Sequence, residues 1–508
     1  MGREQKSSGE GGMREMKIMD ITLRDGQQCL WATRMATAEM TPIARTMDEA
    51  GFHVIDLNGG AAIDASIMYL GEDPFERIRT MARLMPKTPL NFNTRGQSIF
   101  RWTQYADDVA EFTLRLLRRN GIRSIMAFDA LNDLRNIEFS IRIGKALDMF
   151  VIGAVSYTIS PVHTDEHFIE KAKGLVALGV DAVEIKDQGG VLTPERARQL
   201  IPAIRRAVGN RVQLQLHSHC TFGHGVDTYL EAMKLGDDGV DLLHGASRQL
   251  AYGYSLPPHD VILDALAEHG YSTPINREAI DEMDAYLSVV ARQSGRPTGQ
   301  IIPVQPGAIA HQVPGGMLSN LKRQLDDQGQ GHRLPEVLDE ITRVRAEIGY
   351  PIIVSPMAQY LATQAVMNVL TGKRYQIVPR EIKQYVLGYY GAVPGPIDPK
   401  VRELIAGDEE GITVAPGQLL EPMMDRYRQE LGPYDSDEEF ALKIFYSVQD
   451  LEKNRAARLD VRNRSTATDA ASFLAQQLLG RDKIEICEVT KKTFHFSMNR
   501  NADVKLAS

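Results

Sequence analysis

The sequence predicts a (β/α)8 TIM barrel followed by a mainly helical C-terminal domain, and three observations lead there. Short apolar, β-branched runs recur eight times at intervals of 26 to 37 residues, the length of a strand, a crossover helix and two loops. Between them lie stretches with apolar residues at helical spacing, several closed by Gly, as a helix C-terminus prefers. The turn after the first run reads RDGQQ, where an open doubly wound sheet would carry a Gly-rich phosphate loop.

Residues 1–15 are polar, Gly/Ser-rich and aperiodic, the composition of a disordered tail. Strands are then expected at KIMDITL, HVIDLN, LNFNT, SIMAF, FVIGAVSYT, AVEIK, VQLQLH and DLLHGAS, beginning near residues 17, 53, 90, 124, 150, 182, 212 and 241. Segments such as EMTPIARTMDEAG, DVAEFTLRLLRRNG, HFIEKAKGLVALG and TPERARQLIPAIRRAVG supply the intervening helices. After about residue 270 helical patterns dominate, in REAIDEMDAYLSVVARQSG, MLSNLKRQLDDQG, LPEVLDEITRVRAEIG and MAQYLATQAVMNVLTG. The Gly- and Pro-rich GYYGAVPGPIDP interrupts them, and KIEICEV with KTFHFSM forms a closing strand pair. The expected division is a barrel over 16–310, a helical domain over 311–435 that completes the active site, and an extension over 436–508.

Composition narrows the function classes. The 508-residue chain is 43% hydrophobic and 24% charged, which excludes wholesale disorder and fibrous structure. Fifty-eight basic against 66 acidic residues leave a charge of −8, so there is no broad basic face for nucleic acid. No apolar run reaches the roughly 18 residues of a membrane span, and the N-terminus lacks an apolar signal core. Lys6 stands where myristoylation needs Ser or Thr. Three widely spaced cysteines, Cys29, Cys220 and Cys487, suit a reducing compartment. A cytoplasmic protein is expected.

A barrel of this kind does its chemistry at the C-terminal ends of its strands. The first strand leads to Arg24, Asp25 and Gln28, the third to Arg95, the sixth to Lys186 and Asp187, and the seventh to His217 and His219. Residues two apart on a strand project to the same side, so His217 and His219 can reach one ion. With Asp25 they make a divalent-metal set suited to zinc, manganese or cobalt more than magnesium; the bland alternative is a pair that hydrogen-bonds loop backbone. His224 reads as a loop residue. Lys186 ends a buried strand, where an unpaired ammonium is expensive, so it needs an anionic partner, a ligand or a modification. Asp187 and Asp25 are the partners at hand. Arg95 offers a planar fork to a substrate carboxylate, or to a structural acid. Metal, lysine and arginine at one mouth point to a small anionic carbonyl compound whose enolate is stabilised there.

The motif MDITLRDGQQCLWATRM resembles the opening of the biotin-dependent carboxyltransferases; its RDGQ core is shared with homocitrate and isopropylmalate synthases and hydroxymethylglutaryl-CoA lyase. NGGAAID, EDPFERIR, TRGQ, FDALND, YTISPVHT, EIKD, HSH, HQVPGGMLSNL and LGYYGAVPGPIDPKV look like the carboxyltransferase domain of pyruvate carboxylase, the oxaloacetate decarboxylase alpha subunit and, most closely, the pyruvate-binding subunit of transcarboxylase. The resemblance runs from about Met16 to beyond residue 400. It implies a metal held by Asp25, His217, His219 and a carbamylated Lys186. It further implies that Arg95, Gln28 and Arg24 bind substrate and that Ser319 relays a proton between biotin and the enolate. The implied reaction is carboxyl exchange between carboxybiotin and a 2-oxo acid such as pyruvate or oxaloacetate, in a homodimer or larger assembly.

Departures from the family pattern cluster on the biotin side. No biotinyl module with an AMKM-type lysine is recognised, so biotin is expected in trans, on a separate carrier protein; EMKIM around Lys17 runs into the first strand. The family tyrosine of the biotin pocket is Trp102 here, although the pocket aspartate is matched by Asp64. HGASRQLAYGYSLPPHD replaces a small-residue loop, and Cys220 stands where an acid or serine is usual. These departures open a second reading, a biotin-independent metal-dependent lyase, synthase or amide hydrolase. A third is a non-enzymatic scaffold, which the intact Asp25, Lys186, His217 and His219 oppose.

Overall fold

The structure is a computed structural model that describes residues 13–101, 103–304, 309, 311–313, 315–464, 486–491 and 494–499. Eight parallel strands close in sequence order into a barrel: β1 (Lys17–Asp20), β2 (Val54–Gly59), β3 (Leu90–Thr94), β4 (Ser124–Ala127), β5 (Phe150–Ser156), β6 (Ala182–Asp187), β7 (Gln213–Ser218) and β8 (Leu242–Gly245). Each begins where the apolar pattern places it or one residue later. Closure pairs β1 with β8, Met19 opposite His244 and Asp20 opposite Gly245.

The two-residue period of a strand sorts the barrel into layers. Val183, Ile185, Leu214, Leu216 and Leu243 enter the large core between strands and helices, while Met19, Val54, Ala182 and Leu242 belong to a smaller cluster inside the barrel. By the same alternation Glu184 and Lys186 share a face with Ala182, and Gln215 and His217 share one facing the barrel axis. The strands therefore carry apolar side chains outward and a polar ladder inward. The register sets Glu184 opposite Gln215 and Lys186 opposite His217.

One expected strand is cut short. KIMDITL extends only to Asp20, and Thr22–Gly26 forms a π-helical turn that runs into the short helix Gln27–Leu30. Widened turns of this kind recur at functional sites, and this one directs Arg24 and Asp25 across the barrel mouth.

Helices that fill the outer ring start as their sequences direct. Asp73 caps Pro74–Leu84, accepting from the Phe75 amide at 2.9 Å, and Thr193 caps Pro194–Val208. Beyond the barrel a second core unites Leu321, Ile341, Leu361 and Tyr385 of four successive helices. Phe440, Phe445 and Tyr446 return to the barrel's own core, with the Phe445 ring against Phe100 at 4.7 Å. The closing strand pair is present as antiparallel β9 (Ile486–Lys491) and β10 (Phe494–Asn499). Among the described residues no helix is long and apolar enough to cross a membrane.

Candidate active site

At the C-terminal mouth of the barrel a cavity of about 820 Å3 is walled by Arg24, Gln28, Arg95 and Lys186. Helices Gly315–Asp327 and Met357–Thr371 roof it through Met317, Leu321, Ala358 and Val366. Asp25 and His219 also line it; His217 lies just beneath, 1% exposed. Asp25 Oδ2 is 3.4 Å from His217 Nε2, Asp25 Oδ1 is 3.8 Å from His219 Nε2, and the two Nε2 atoms are 3.0 Å apart. Three of the four expected ligands thus meet at one point.

The hydrogen bonds behind the imidazoles fix which nitrogens face that point. His219 Nδ1 is 2.7 Å from the Tyr254 carbonyl, which can only accept, so His219 carries its proton there and Nε2 is bare. Gln215 donates to Gln213 and turns its oxygen to His244 Nε2 at 3.0 Å. His244 therefore donates from Nε2, accepts at Nδ1 from His217 Nδ1 at 3.1 Å, and leaves His217 Nε2 bare as well. Two lone pairs facing each other at this distance beside a carboxylate call for a cation between them. Donors about 2.1 Å from an ion and at right angles stand about 3.0 Å apart. The residues present fit a divalent metal.

Electrostatics agree. Burial alone would raise the Asp25 carboxyl, but Arg24, His219 and Lys186 outweigh it and hold the group well below its ordinary range. Burial pushes His217 well below the usual imidazole value and His244 down to about 4; a neutral imidazole is the form that binds metal.

Lys186 is 2% exposed and donates to Glu184 Oε1 at 2.8 Å. Neither partner suggested by the sequence holds it. Asp187 points to the opposite face and accepts from Ser218 Oγ, at 2.7 Å, and the amides of Val191 and Leu192, while Asp25 pairs with Arg24 NH2 at 3.0 Å. Sequence reasoning missed Glu184, although its two-residue offset from Lys186 places both on one face. It also missed His244 and Gln215, whose role depends on barrel register.

Arg24 lines the wall, but its guanidinium spans Asp25 and Asp56, with Nε 2.6 Å from Asp56 Oδ2. Asn91 and Asn93 hold Asp56 from below, so Arg24 serves first to position Asp25. Arg95 crosses the mouth, its NH2 donating to the Arg101 carbonyl at 2.7 Å. Gly60 permits this approach, since a Cβ there would stand 3.3 Å from Arg95 NH2 and 2.7 Å from the Ile99 carbonyl. Burial lowers Arg95 to about 10, which keeps it a cation at neutral pH. Asp64 stands behind the wall and accepts from Tyr446 Oη at 2.6 Å; burial raises its carboxyl. Gln28 faces the cavity. Trp102 and the side chain of Ser319 lie outside the described residues, although the helix carrying Ser319 roofs the cavity. The unusual loop after β8 supplies the Tyr254 carbonyl. Cys220 is buried, its thiol pushed up to about 12 by desolvation.

Comparison with known proteins gives this arrangement a family. A conserved carboxylase domain model matches residues 309–494, and an HMGL-like model matches residues 135–244. A pyruvate carboxylase subunit of Methanocaldococcus jannaschii is 41% identical over 82% of this chain and 73% of its own. The methylmalonyl-CoA carboxyltransferase 5S subunit of Propionibacterium freudenreichii subsp. shermanii is 35% identical over 82% of each. The Y628A carboxyl transferase domain of Rhizobium etli pyruvate carboxylase, solved with pyruvate, superposes with a TM-score of 0.80 at 26% identity, covering 87% of this chain and 77% of that one. The chain belongs to the biotin-dependent carboxyltransferase family.

Proposed function

We propose that this enzyme moves a carboxyl group between biotin on a separate carrier protein and the enolate of a 2-oxo acid, pyruvate or oxaloacetate in the first instance. The observation that carries the proposal is the meeting of Asp25, His217 and His219, with two bare imidazole nitrogens, in a cavity walled by Arg95. These three residues would hold zinc, manganese or cobalt. Bound there, the ion would supply Lewis-acid polarisation of the 2-oxo oxygen, and biotin would bring the carboxyl group.

The remaining work falls to the chain. Arg95 clamps the substrate carboxylate with a cation that its buried setting leaves only partly hydrated. Gln28 presents its amide to the same cavity, and Arg24 fixes Asp25. The roofing helices exclude water, so that CO2 released at the mouth meets the enolate rather than hydroxide. Ser319, on one of those helices, is assigned the hydroxyl that passes a proton between the biotin nitrogen and the methyl carbon of pyruvate. Asp64, Trp102 and Ser319 make up the assigned biotin side. The resemblance makes Lys186 the fourth ligand, in carbamylated form; while unmodified, its ammonium is compensated by the ion pair with Glu184 at 2.8 Å. A homodimer and a cytoplasmic location complete the proposal, supported by the family resemblance and by the free thiols of Cys29 and Cys220.

The test is oxaloacetate decarboxylation and pyruvate carboxyl exchange by metal-loaded protein with a biotinylated carrier domain. Avidin should abolish both, and Arg95→Ala should lower kcat/KM by about 10²–10³-fold. Full activity in excess avidin would favour the biotin-independent reading, and no exchange with any 2-oxo acid would refute the proposal.

A further inference from the structure

We propose that Tyr446, in the C-terminal extension, is a positioning residue for the substrate clamp: its hydroxyl holds Asp64, and through Asp64 and the Arg101 backbone it sets the aim of Arg95. The inference rests on the reading of Arg95 as the clamp of the substrate carboxylate.

The buried Tyr446 donates from Oη to Asp64 Oδ1 at 2.6 Å. Asp64 sits near the end of the short helix Gly60–Ala65, whose first residues, Gly60 and Ala61, line the cavity together with Arg95. The Arg101 backbone amide also supports the Asp64 carboxylate, while the Arg101 carbonyl accepts from Arg95 NH2 at 2.7 Å. One residue therefore meets Asp64 with its amide and Arg95 with its carbonyl. Its backbone is left-handed, at φ 60°, a conformation that a residue other than glycine keeps only when its surroundings hold it. Asp64 also acts on Arg95 directly: burial lowers the Arg95 guanidinium, and the Asp64 charge is the largest influence opposing that.

The extension is built to deliver that hydroxyl. Helix Asp437–Phe445, capped by Ser436, ends on two aromatic residues that meet two consecutive residues of the loop after β3. The Phe445 ring packs on Phe100 at 4.7 Å, and the Arg101 guanidinium lies over the Tyr446 ring at 5.2 Å. In the next helix the buried Asn454 donates to the carbonyls of Ser66 and Ile67, at 3.2 and 3.1 Å, and so fixes the chain just past Asp64. Packing asks for the Tyr446 ring and not for its hydroxyl, whereas a buried phenol aimed at one carboxylate oxygen is a directional contact. An Asp64 deprived of it would be left to the neighbouring cations Arg101 and Arg95, and would draw Arg95 away from the substrate carboxylate.

The test is isothermal titration calorimetry of oxamate, a stable pyruvate analogue with the same carboxylate, into the full-length zinc-loaded protein. Tyr446→Phe, which keeps the ring, should retain native circular dichroism and zinc content and bind oxamate about fivefold more weakly or worse. Arg95→Gln, which removes the cation, should weaken binding about tenfold or more. The decisive sample combines Tyr446→Phe with Arg95→Gln. A residue that acts through Arg95 should change the dissociation constant in that background by less than about twofold, whereas a merely structural role would cost the same factor in both. Equal factors in the two backgrounds, unchanged binding in Tyr446→Phe, or loss of native circular dichroism or of zinc in that variant would overturn the inference alone. Unchanged binding in Arg95→Gln would overturn the clamp reading beneath it.

Discussion

His217 is held so that only one of its nitrogens is available to an ion. The proton chain from Gln215 through His244 fixes its tautomer, and partners of this kind typically strengthen metal binding by 10–100-fold. His244→Ala should therefore weaken divalent-ion affinity by about that factor in a competition assay with a chromogenic chelator, leaving all first ligands in place. The Glu184–Lys186 pair allows a second test. Glu184→Gln strands a buried ammonium and should destabilise the fold by about 3–5 kcal/mol in urea unfolding, whereas Glu184→Gln with Lys186→Met should recover most of that loss. Equal destabilisation by the single and double variants would show that the pair is not what holds Lys186.

Among elements, helix Met357–Thr371 couples stability to the site. Leu361 is 1% exposed in the second core, while Ala358 and Val366 of the same helix line the cavity. Leu361→Ala should cost about 2–5 kcal/mol and, by loosening the roof, raise KM for the 2-oxo acid. An unchanged KM in the folded variant would show the roof to be indifferent to that core. The strands are legible in the sequence because each buries one apolar row, which leaves a two-residue signature; the HxH pair is legible for the same reason. The ion pair of Arg24 with Asp56 is not legible, because Asp56 lies on another strand, 32 residues away, and only closure of the sheet brings them together. His244 is invisible for the same reason, since one strand says nothing of its neighbour's register. The Asp25 turn is hidden differently: KIMDITL has the composition of a strand throughout, and the need to aim two charged side chains inward overrides it.

For the whole molecule, buried neutral histidines set the response to acid. Burial lowers His163 to about 3, His53 and His244 to about 4, and His259 to about 3. Between the ordinary value of 6.5 and these lowered values the unfolded chain binds protons that the folded protein refuses. Stability from these groups is full above about pH 6.5 and is lost as pH falls toward about 4 or 3. Asp20, raised by burial to about 8, works the other way, since its folded form keeps a proton that the unfolded chain gives up above 3.8. His163→Gln isolates one imidazole. The slope of unfolding free energy against pH between about 6 and 4 should be shallower in the variant by up to about 1.4 kcal/mol per unit, and parallel slopes would deny His163 that role.

The central claim is that Asp25, His217 and His219 hold one divalent ion at which biotin-dependent carboxyl transfer occurs. Elemental analysis after equilibrium dialysis, on wild type and on folded His219→Ala, tests it most directly, with avidin-sensitive oxaloacetate decarboxylation measured on the same samples. The expected result is one ion per chain in wild type, lost with the activity in the variant. A variant that keeps both the ion and the activity would contradict the claim.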